Sequence, residues 1–359
     1  MTFTATDHRC MAEALRLAER GRFTTDPNPA VGCVIARDGQ IVGRGFHRAA
    51  GEAHAEVHAL REAGAQAQGA TAYVTLEPCS HHGRTPPCAQ ALIDAEVAEV
   101  VAAMVDPFPK NAGHGLEVLS RAGIRVRTGL MESAARALNA GFISRFERSR
   151  PWVRVKLASS VDGRTAGPDG QSQWITGTAA RDDGQRWRAR ASCILTGIDT
   201  VIADDPQMTL RLTGVDRTPL RVVVDSRARM PRAARMLSLN GLVLIASTVK
   251  APWQVDGVEW LTLPADPKGR VALPALFEAL IDRDVNEVHV EAGPTLSGAL
   301  LEADLVDELL VYQASVLLGQ GAPLLALPGM EKFAQRHHLE CIESRRIGRD
   351  WRHRFIRSS

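Results

Sequence analysis

Apolar runs and helical patterns alternate along the first 146 residues of the chain. Apolar residues at positions 11, 14, 15 and 18 recur at helical spacing and predict an amphipathic first helix, with Gly21 suited to its C-terminal cap. The runs AVGCVIARDG and IVGRGFH flank Asp38-Gly39, which predicts a β-hairpin. A helical AEVHALREAG, a strand-like ATAYVTLE, a helical CAQALIDAEV and strand-like EVVAAMV and IRVRTGL follow. This order predicts an α/β domain with helices packed on a mixed sheet.

A second alternating series begins after the polar, arginine-rich segment SRFERSRP, residues 144–151. We place a boundary there and predict two domains, residues 1–146 and residues 151–359. The second series is again typical of an α/β domain. Its runs are WVRVKLASSVDG, SCILTGIDTVIADDP, LRVVVDSRARMP, LVLIAST and EVHVEAGPTLSGALLEADLVDELLVYQAS. The two halves share no motif, which indicates a fusion of unlike domains.

Composition narrows the class of protein. The chain has 359 residues, 45% of them hydrophobic and 23% charged, and a net charge of +2, which is typical of a globular protein. No apolar run reaches the length of a membrane span, and the N-terminus lacks the pattern of a signal peptide. No basic block suggests nucleic acid as a partner. Six cysteines without a secretion signal favour the reducing cytoplasm.

Two motifs predict a metal site in the first half. One hypothesis pairs His54 with His58, four apart on a helix, but a metalloprotease needs its glutamate directly after the first histidine, and here the glutamate is Glu56. The other combines His54-x-Glu56 with a later Pro-Cys and a second cysteine, at Cys79 and Cys88. This order matches the signature of zinc-dependent deaminases.

The chemistry of that ligand set is specific. One imidazole and two thiolates leave a fourth position for water, and zinc lowers the pKa of such a water to about 7, which generates hydroxide at neutral pH. Glu56 would then shuttle protons to the ring and to the leaving amine. We expect His54, Cys79 and Cys88 each to lie at the start of a helix, where partial positive charge stabilises thiolates.

Other interpretations of these residues stay open. Cys79 and Cys88 could be buried core cysteines, and His81 and His82 could be ligands, although a closed four-ligand site would leave the glutamate without a role. The eight residues between the cysteines, SHHGRTPP, are expected to select the substrate. Arg84 within them suits a phosphorylated pyrimidine.

Several longer segments resemble one family in order and in both halves. They are GRFTTDPNPAVGCVI, GEAHAEVHAL, AYVTLEPCSHHGRTPPCAQALI, KLASSVDGRTA, SQWIT, VIADDPQMTLR and VEAGPTLSGALLEADLVDELLVY. The chain resembles the bifunctional riboflavin-biosynthesis deaminase/reductase family over nearly its whole length. The resemblance implies an N-terminal cytidine-deaminase-like three-layer α/β/α domain and a C-terminal dihydrofolate-reductase-like α/β domain.

For the first half, the resemblance implies zinc-hydroxide deamination of 2,5-diamino-6-(5-phosphoribosylamino)pyrimidin-4(3H)-one. It assigns His54, Cys79 and Cys88 to zinc and Glu56 to proton transfer. It also assigns four positions to substrate contacts: Asn28, His47, Arg84 and Asp106. The family often has Asp-Pro-Asn-Pro where this chain reads DPFP, residues 106–109. Phe108 cannot hydrogen-bond as asparagine does, so contacts around Asp106 are expected to differ.

For the second half, the residues themselves do not support a Rossmann site, because no G-x-G-x-x-G follows a predicted strand. Gly293 opens a predicted strand-turn-helix, VHVEAGPTLSGALL, whose helix N-terminus could cradle a cofactor phosphate. An ordinary connection is the alternative. Lys156 could orient the sugar or be a strand-end surface residue. Arg227 or Arg229 could meet the 2′-phosphate of NADPH, or be surface arginines.

The resemblance implies NADPH-dependent reduction of the ribosyl side chain to ribityl in this half, and a homo-oligomer, either dimer or tetramer. The substrate positions it implies, with Lys156 added from its strand position, are Lys156, Ser172, Arg188, Met208, Arg211 and Glu291. The cofactor positions are Ala158, Trp174, Thr200, Asp204, Ser226, Gly293, Pro294, Thr295, Leu296, Ser297, Gly298 and Ala299.

Two rival functions remain at this point. A nucleic-acid or nucleoside deaminase with an unrelated second domain would need a basic surface rich in aromatic residues, yet only 5% of residues are aromatic. A zinc-stabilised scaffold with degenerate sites conflicts with the intact ligand set and glutamate.

Overall fold

The computed structural model describes residues 2–81, 87–328, 330 and 336–357. The chain divides into two compact units, Met1–Ser149 and Arg150–Ser359. The division falls inside the polar segment 144–151, of which the residues up to Arg148 form the end of a helix. Within the described ranges, no helix combines the length and the apolar content needed to cross a membrane.

The first unit is a five-stranded mixed sheet with helices on both faces. Its strands are β1 Gly32–Arg37, β2 Gln40–Phe46, β3 Thr71–Val74, β4 Glu99–Ala102 and β5 Arg125–Thr128. Its helices are α1 Ala5–Ala18, α2 Ala55–Ala63, α3 Cys88–Asp94, α4 His114–Arg121, α5 Glu132–Leu138 and α6 Ala140–Arg148, with 3₁₀ turns at Glu19–Gly21 and Gly64–Ala67. The strand order is β2-β1-β3-β4-β5. β1 is antiparallel to both neighbours, and β3, β4 and β5 are parallel.

Local signals account for the first elements. Asp38 and Gly39 have φ of 49° and 76°, the left-handed pair that a two-residue hairpin between β1 and β2 requires. α1 begins at a capping box between Thr4 and Asp7. The predicted cap at Gly21 is wrong, because α1 ends at Ala18 and a 3₁₀ turn continues through Gly21.

Alternation along the strands separates two cores. One face of the sheet packs under α2, α3 and α4, which contribute Ala59, Leu92 and Leu119. The other face packs under α1 and α6, which contribute Met11 and Ile143. The three-layer α/β/α arrangement predicted from the family resemblance is therefore present in this unit.

The second unit is a nine-stranded sheet. Its strands are β6 Trp152–Ser159, β7 Cys193–Gly197, β8 Leu220–Val224, β9 Val243–Ser247, β10 Val258–Thr262, β11 Glu287–Val290, β12 Glu308–Gln313, β13 Leu339–Ile347 and β14 Asp350–Arg357. Its helices are α7 Thr178–Arg190, α8 Ile198–Asp204, α9 Leu273–Ile281 and α10 Pro294–Glu302, with a 3₁₀ turn at Arg235–Ser238. The order is β10-β9-β8-β7-β11-β6-β12-β14-β13, parallel from β10 to β12, with β14 and β13 antiparallel.

The two faces of the central strands differ in character. On one face Val153 and Val155 of β6 pack with residues of α9 and α10 in the largest apolar core of the unit. On the other face Arg154 of β6 is fully buried between Glu287 of β11 and Glu308 of β12, at 3.0 and 2.9 Å. Isolated buried charges are costly, so this face depends on their pairing.

Candidate metal centre and active sites

Three predicted ligands converge in the first unit. His54 Nδ1 lies 3.2 Å from Cys88 Sγ and 3.5 Å from Cys79 Sγ, and the three donor atoms lie within 4.8 Å of one another. Ligands bound at about 2.0–2.3 Å to one tetrahedral ion lie less than about 4 Å apart, and both distances from His54 Nδ1 meet this condition, so the histidine and the two sulfurs are suited to hold zinc. Residues 25 and 34 positions apart along the chain are brought together by the sheet and its helices.

A hydrogen bond couples the two sulfurs. A hydrogen bond from the Cys88 thiol lowers the pKa of Cys79 to about 4. The same contact, together with burial, raises the pKa of Cys88. The contact with Cys79 also raises the pKa of His54. A cation that displaces the proton of the Cys88 thiol would leave both sulfurs as thiolates, which is the form that binds zinc.

Glu56 lies beside this set without being part of it. It occupies the first turn of α2, is 3% exposed, and its Oε2 has no hydrogen-bond partner within the described residues. Burial raises the pKa of its carboxyl to about 7, and the charge of Cys79 adds to the rise. An unpartnered buried carboxylate oxygen beside three metal donors is suited to bind a water and move its protons.

The positions of the ligand segments partly match expectation. His54 is the N-cap of α2 and Cys88 is the first residue of α3. The expectation that Cys79 starts a helix is wrong, because Cys79 lies in an irregular segment after β3. Its position depends on neighbours: the Cys88 N–H donates to Cys79 Sγ at 3.3 Å, and Ala89 N–H donates to its carbonyl at 3.1 Å.

Close packing sets the start of α2, on which His54 and Glu56 depend. A Cβ atom at Gly45 would lie 2.0 Å from the Ala55 carbonyl oxygen, so only glycine lets α2 approach β2 this closely. The predicted substrate residue Arg84 and the alternative ligand His82 lie outside the described residues.

Two other predicted substrate residues meet beside the metal donors. His47 is 3% exposed, contacts the Ala53 carbonyl through Nδ1 at 3.2 Å, and accepts from Asn28 Nδ2 at Nε2, at 3.2 Å. Burial lowers its pKa, which favours the neutral ring that this pattern of bonds requires. The His47 and His54 rings stand edge to face, 5.2 Å apart.

Asp106, another predicted substrate residue, accepts hydrogen bonds from neighbouring residues of its own loop. It is 8% exposed, and its two oxygens accept from the Phe108 N–H at 2.9 Å and from Asn111 Nδ2 at 3.2 Å. Burial raises its pKa to about 6. The Phe108 ring contacts the rings of His81 and Phe146, at 5.7 and 5.1 Å.

In the second unit, a charged cluster joins β6 and α7 at the carboxyl end of β11. Arg188 of α7 holds Glu291 through Nε and Nη2, at 2.5 and 2.9 Å. Lys156 Nζ of β6 lies 3.9 Å from the same carboxylate, and His289 Nε2 lies 3.3 Å from it. Burial alone would raise the pKa of Glu291, but the charges of Arg188 and Lys156 lower it well below its usual range.

The predicted phosphate turn is a helix N-terminus. Gly293 is the exposed N-cap of α10, and a Cβ atom there would lie 4.0 Å from Thr200 Oγ1 at the start of α8. Within the predicted run 293–299, Ser297 and Gly298 point into the unit. A Cβ atom at Gly298 would lie 1.9 Å from the Ala326 carbonyl oxygen, so this glycine serves packing. The accessible part of the run, residues 293–296 and 299, surrounds the helix start.

The other predicted residues of this unit lie at different depths. Met208 is buried in an apolar core, Ala158 and Ser172 are half-buried, and Trp174 is 66% exposed beneath the Arg181 guanidinium. Three further positions bind other parts of the chain. Arg211 N–H donates to Gln185, Asp204 accepts from Gln173, and Ser226 Oγ accepts from Val271 N–H. Arg229 pairs with Asp199 at 2.7 Å, and Arg227 is exposed.

The sequence analysis missed two residues of these sites, His289 and Asn111. His289 is buried against Glu291, and alternation along β11 could have placed it on that face. Asn111 is fully buried beside Cys79, 32 positions away along the chain. A single asparagine in a polar loop predicts a turn, not a contact with a metal ligand.

Two family models match the chain, one in each unit. Residues 4–104 match the family model for the cytidine and deoxycytidylate deaminase zinc-binding region, and residues 151–352 match that for the RibD C-terminal domain. The chain is 51% identical over 363 residues to the riboflavin biosynthesis protein RibD of Escherichia coli (strain K12), covering 96% of this chain and 97% of that protein.

Solved structures extend the likeness to the fold. Acinetobacter baumannii RibD, form 1, superimposes with a TM-score of 0.91 at 44% identity and covers 99% of both chains. A diaminohydroxyphosphoribosylaminopyrimidine deaminase/5-amino-6-(5-phosphoribosylamino)uracil reductase from Thermotoga maritima superimposes with a TM-score of 0.89 at 30% identity, covering 98% of this chain and 99% of that one. The predicted fold class is confirmed.

The two units therefore correspond to a zinc-binding deaminase domain and a reductase domain, and zinc and NADPH are the cofactors that fit them. A hydrolase and an oxidoreductase are joined in one chain, as the sequence predicted. This chain belongs to the RibD family, the bifunctional deaminase/reductases of riboflavin biosynthesis.

Proposed function

We propose that the first unit deaminates 2,5-diamino-6-(5-phosphoribosylamino)pyrimidin-4(3H)-one by hydrolysis. The second unit then reduces the ribosyl group of the product, giving 5-amino-6-(5-phosphoribitylamino)uracil. The observation that carries the deaminase assignment is the convergence of His54, Cys79 and Cys88 within 4.8 Å beside the buried Glu56 carboxylate, whose Oε2 has no hydrogen-bond partner within the described residues. The Thermotoga maritima relative, a diaminohydroxyphosphoribosylaminopyrimidine deaminase/5-amino-6-(5-phosphoribosylamino)uracil reductase, supports the choice of substrate.

In the deaminase mechanism, His54 Nδ1 and the two sulfurs hold the metal. Zinc, when bound, acts as a Lewis acid that makes water nucleophilic at neutral pH. The Glu56 carboxylate takes one proton from the attacking water and delivers it to the neighbouring ring nitrogen. It then carries the second proton to the amino group, which leaves as ammonia while the ring carbonyl forms. Asn28 and His47 orient the pyrimidine beside these groups.

In the reductase mechanism, the charged cluster orients the substrate. Arg188 and Glu291 fix each other through two hydrogen bonds, and Lys156 Nζ of β6 lies 3.9 Å from the same carboxylate. We assign Lys156 to protonating the nitrogen of the ring-opened sugar imine while the imine carbon is reduced. NADPH, when bound, supplies the hydride. The amides at the start of α10, around Gly293, bind a phosphate of the cofactor.

Glu56→Gln tests the deaminase assignment. The ligand set is untouched, so the variant should retain zinc and lose ammonia release by about 10²-fold or more, because general acid–base catalysis is removed. Reduction of supplied deaminated substrate by the same variant is the internal control and should be unchanged. Loss of zinc in parallel with activity would contradict the proton-transfer role.

Incubation of the chain with the diaminopyrimidine phosphate and NADPH, following ammonia and cofactor absorbance together, tests both assignments. We expect ammonia release to precede NADPH oxidation. We also propose that the chain acts in the cytoplasm, which its six free cysteines support. The dimer or tetramer implied by the family resemblance stays a prediction, which sedimentation velocity would check.

A further inference from the structure

The three proposed zinc ligands differ in what holds them. His54 and Cys88 lie at the starts of α2 and α3, where helical hydrogen bonds and core packing fix the backbone. Cys79 lies on no helix or strand. A metal site needs its ligands held within a few tenths of an ångström, so a ligand in an irregular segment requires other support.

The amide of Asn111 supplies contacts on both sides of Cys79. Its Oδ1 accepts from the Ser80 N–H at 2.9 Å and from the Ser80 hydroxyl at 3.0 Å. Its Nδ2 donates to Asp106 Oδ2 at 3.2 Å and, at a longer 3.5 Å, to the Pro78 carbonyl. Asn111 is 0% exposed, so water does not compete for these bonds.

A second buried side chain fixes the loop that carries Asn111. The Glu77 carboxylate accepts N–H bonds from Asp106, Gly113 and Gly115, at 3.0, 2.9 and 2.8 Å. A Cβ atom at Gly115 would lie 1.9 Å from the Pro78 carbonyl oxygen, so the loop and the ligand segment touch backbone to backbone. Residues 77–80 and 106–115 thus form one hydrogen-bonded body around the ligand.

We propose that Asn111 is a positioning residue for the metal centre: its buried amide, bound to the residues before and after Cys79, takes the place of secondary structure for that ligand. The inference rests on the proposed zinc site. Asn111 does not touch metal or substrate in this role. It acts by limiting where the Cys79 sulfur can lie.

Two variants separate the loss of the amide from the loss of volume. Asn111→Ala removes both the acceptor for Ser80 and the donor to Asp106. Asn111→Asp keeps the size and the acceptor, but it places an oxygen against Asp106 Oδ2 and the Pro78 carbonyl. Both should weaken zinc binding, since contacts that orient metal ligands are typically worth about 10- to 100-fold in affinity.

Asn139 offers a matched control in the same unit. It is also a buried asparagine, 6% exposed, and its amide makes two hydrogen bonds with Ala30, at 2.8 and 2.9 Å. Asn139→Ala therefore removes two buried amide hydrogen bonds, and neither of them involves residues 78–80. We expect its zinc affinity to remain within about threefold of the wild type.

The experiment measures zinc affinity of the full chain by competition with a chromophoric chelator, and the absorption spectrum of the cobalt-substituted protein. Both Asn111 variants should lose zinc affinity by about 10- to 100-fold and show altered cobalt–thiolate bands. Reduction of deaminated substrate by the second unit should persist. Urea unfolding of each variant identifies any that fails to fold. If Asn111→Ala does not fold, Asn111→Asp alone carries the comparison.

The outcomes distinguish the two proposals. If Cys88→Ala binds zinc as tightly as the wild type, the proposed metal centre itself is wrong. If Cys88→Ala loses zinc but both folded Asn111 variants bind it as tightly as Asn139→Ala, with an unchanged cobalt spectrum, the positioning role is wrong and the metal centre stands.

Discussion

Glu308 of β12 holds the buried charges of the second unit together, and replacing it with glutamine should destabilise that unit. Its carboxylate accepts from Arg154 Nε at 2.9 Å and from Arg354 Nε at 2.7 Å, and it is 1% exposed. Arg154 is fully buried and also stacks on Trp187, with 4.5 Å between its guanidinium carbon and the ring centroid. The Glu308→Gln change leaves this guanidinium with one anionic partner, Glu287.

The expected magnitude follows from the pKa of Glu308. Burial alone would raise it, but the charges of Arg154 and Arg354 lower it to about 2. Against an unfolded value of about 4.3, the difference is worth about 3 kcal/mol, similar to the roughly 3–5 kcal/mol for breaking a buried ion pair. The folded pKa is the lower one, so this stability is present above about pH 4 and is lost as pH falls toward 2.

Tryptophan fluorescence reports on the second unit alone. All six tryptophans lie in Arg150–Ser359, and Trp187 stacks on Arg154 itself. With a typical urea dependence of about 1–3 kcal/mol per molar, Glu308→Gln should lower the midpoint at pH 7 by about 1 M or more. Lowering the pH from 4 to 2 should destabilise the wild type more than the variant.

Glu259→Gln provides the control, because Glu259 pairs with Arg283 on the surface, where an ion pair is worth about 0–1 kcal/mol. Equal midpoints for the two variants would refute the reasoning. The reasoning would also be refuted if the wild type and Glu308→Gln lost stability equally between pH 4 and pH 2.

Three further changes test other parts of the chain. Tyr73→Phe removes the hydroxyl that donates to Asp7 at 2.6 Å, and circular dichroism melting should show a loss of about 1–3 kcal/mol in the first unit; an unchanged melt would contradict this. Gly45→Ala would push α2 away from β2, so ammonia release should fall at least about tenfold while NADPH oxidation persists, and equal loss of both would point to global unfolding. Arg188→Lys keeps the charge but loses the two-bond grip on Glu291, so kcat/KM for reduction should fall about 10- to 100-fold, and an unchanged value would remove Arg188 from the substrate site.

Local patterns in the sequence were sufficient for most elements. Asp38-Gly39 predicted the β1–β2 hairpin because a two-residue turn with positive φ admits few residue types. The candidate ligand residues could be predicted because metal chemistry restricts residue type and spacing. The predicted end of α1 at Gly21 is wrong. This glycine allows close packing against the His47 carbonyl oxygen, and the sequence alone does not distinguish that role from a helix cap.

The tertiary structure decided what lies between distant segments. Arg154 alternates with valines in WVRVKL, a pattern typical of a half-exposed strand. It is nevertheless fully buried, because Glu287 and Glu308, more than 130 positions away in the sequence, pair with it. The sequence displays the motif that contains Cys79, but the Asn111 amide, which bonds to Ser80 beside it, belongs to a loop with no periodic signal. The sequence by itself determined the elements and the chemistry of the ligands, because propensity and ligand type are local properties. Only the fold determined which charges could be buried and how the third ligand is held, because pairing depends on contacts between residues far apart in the chain.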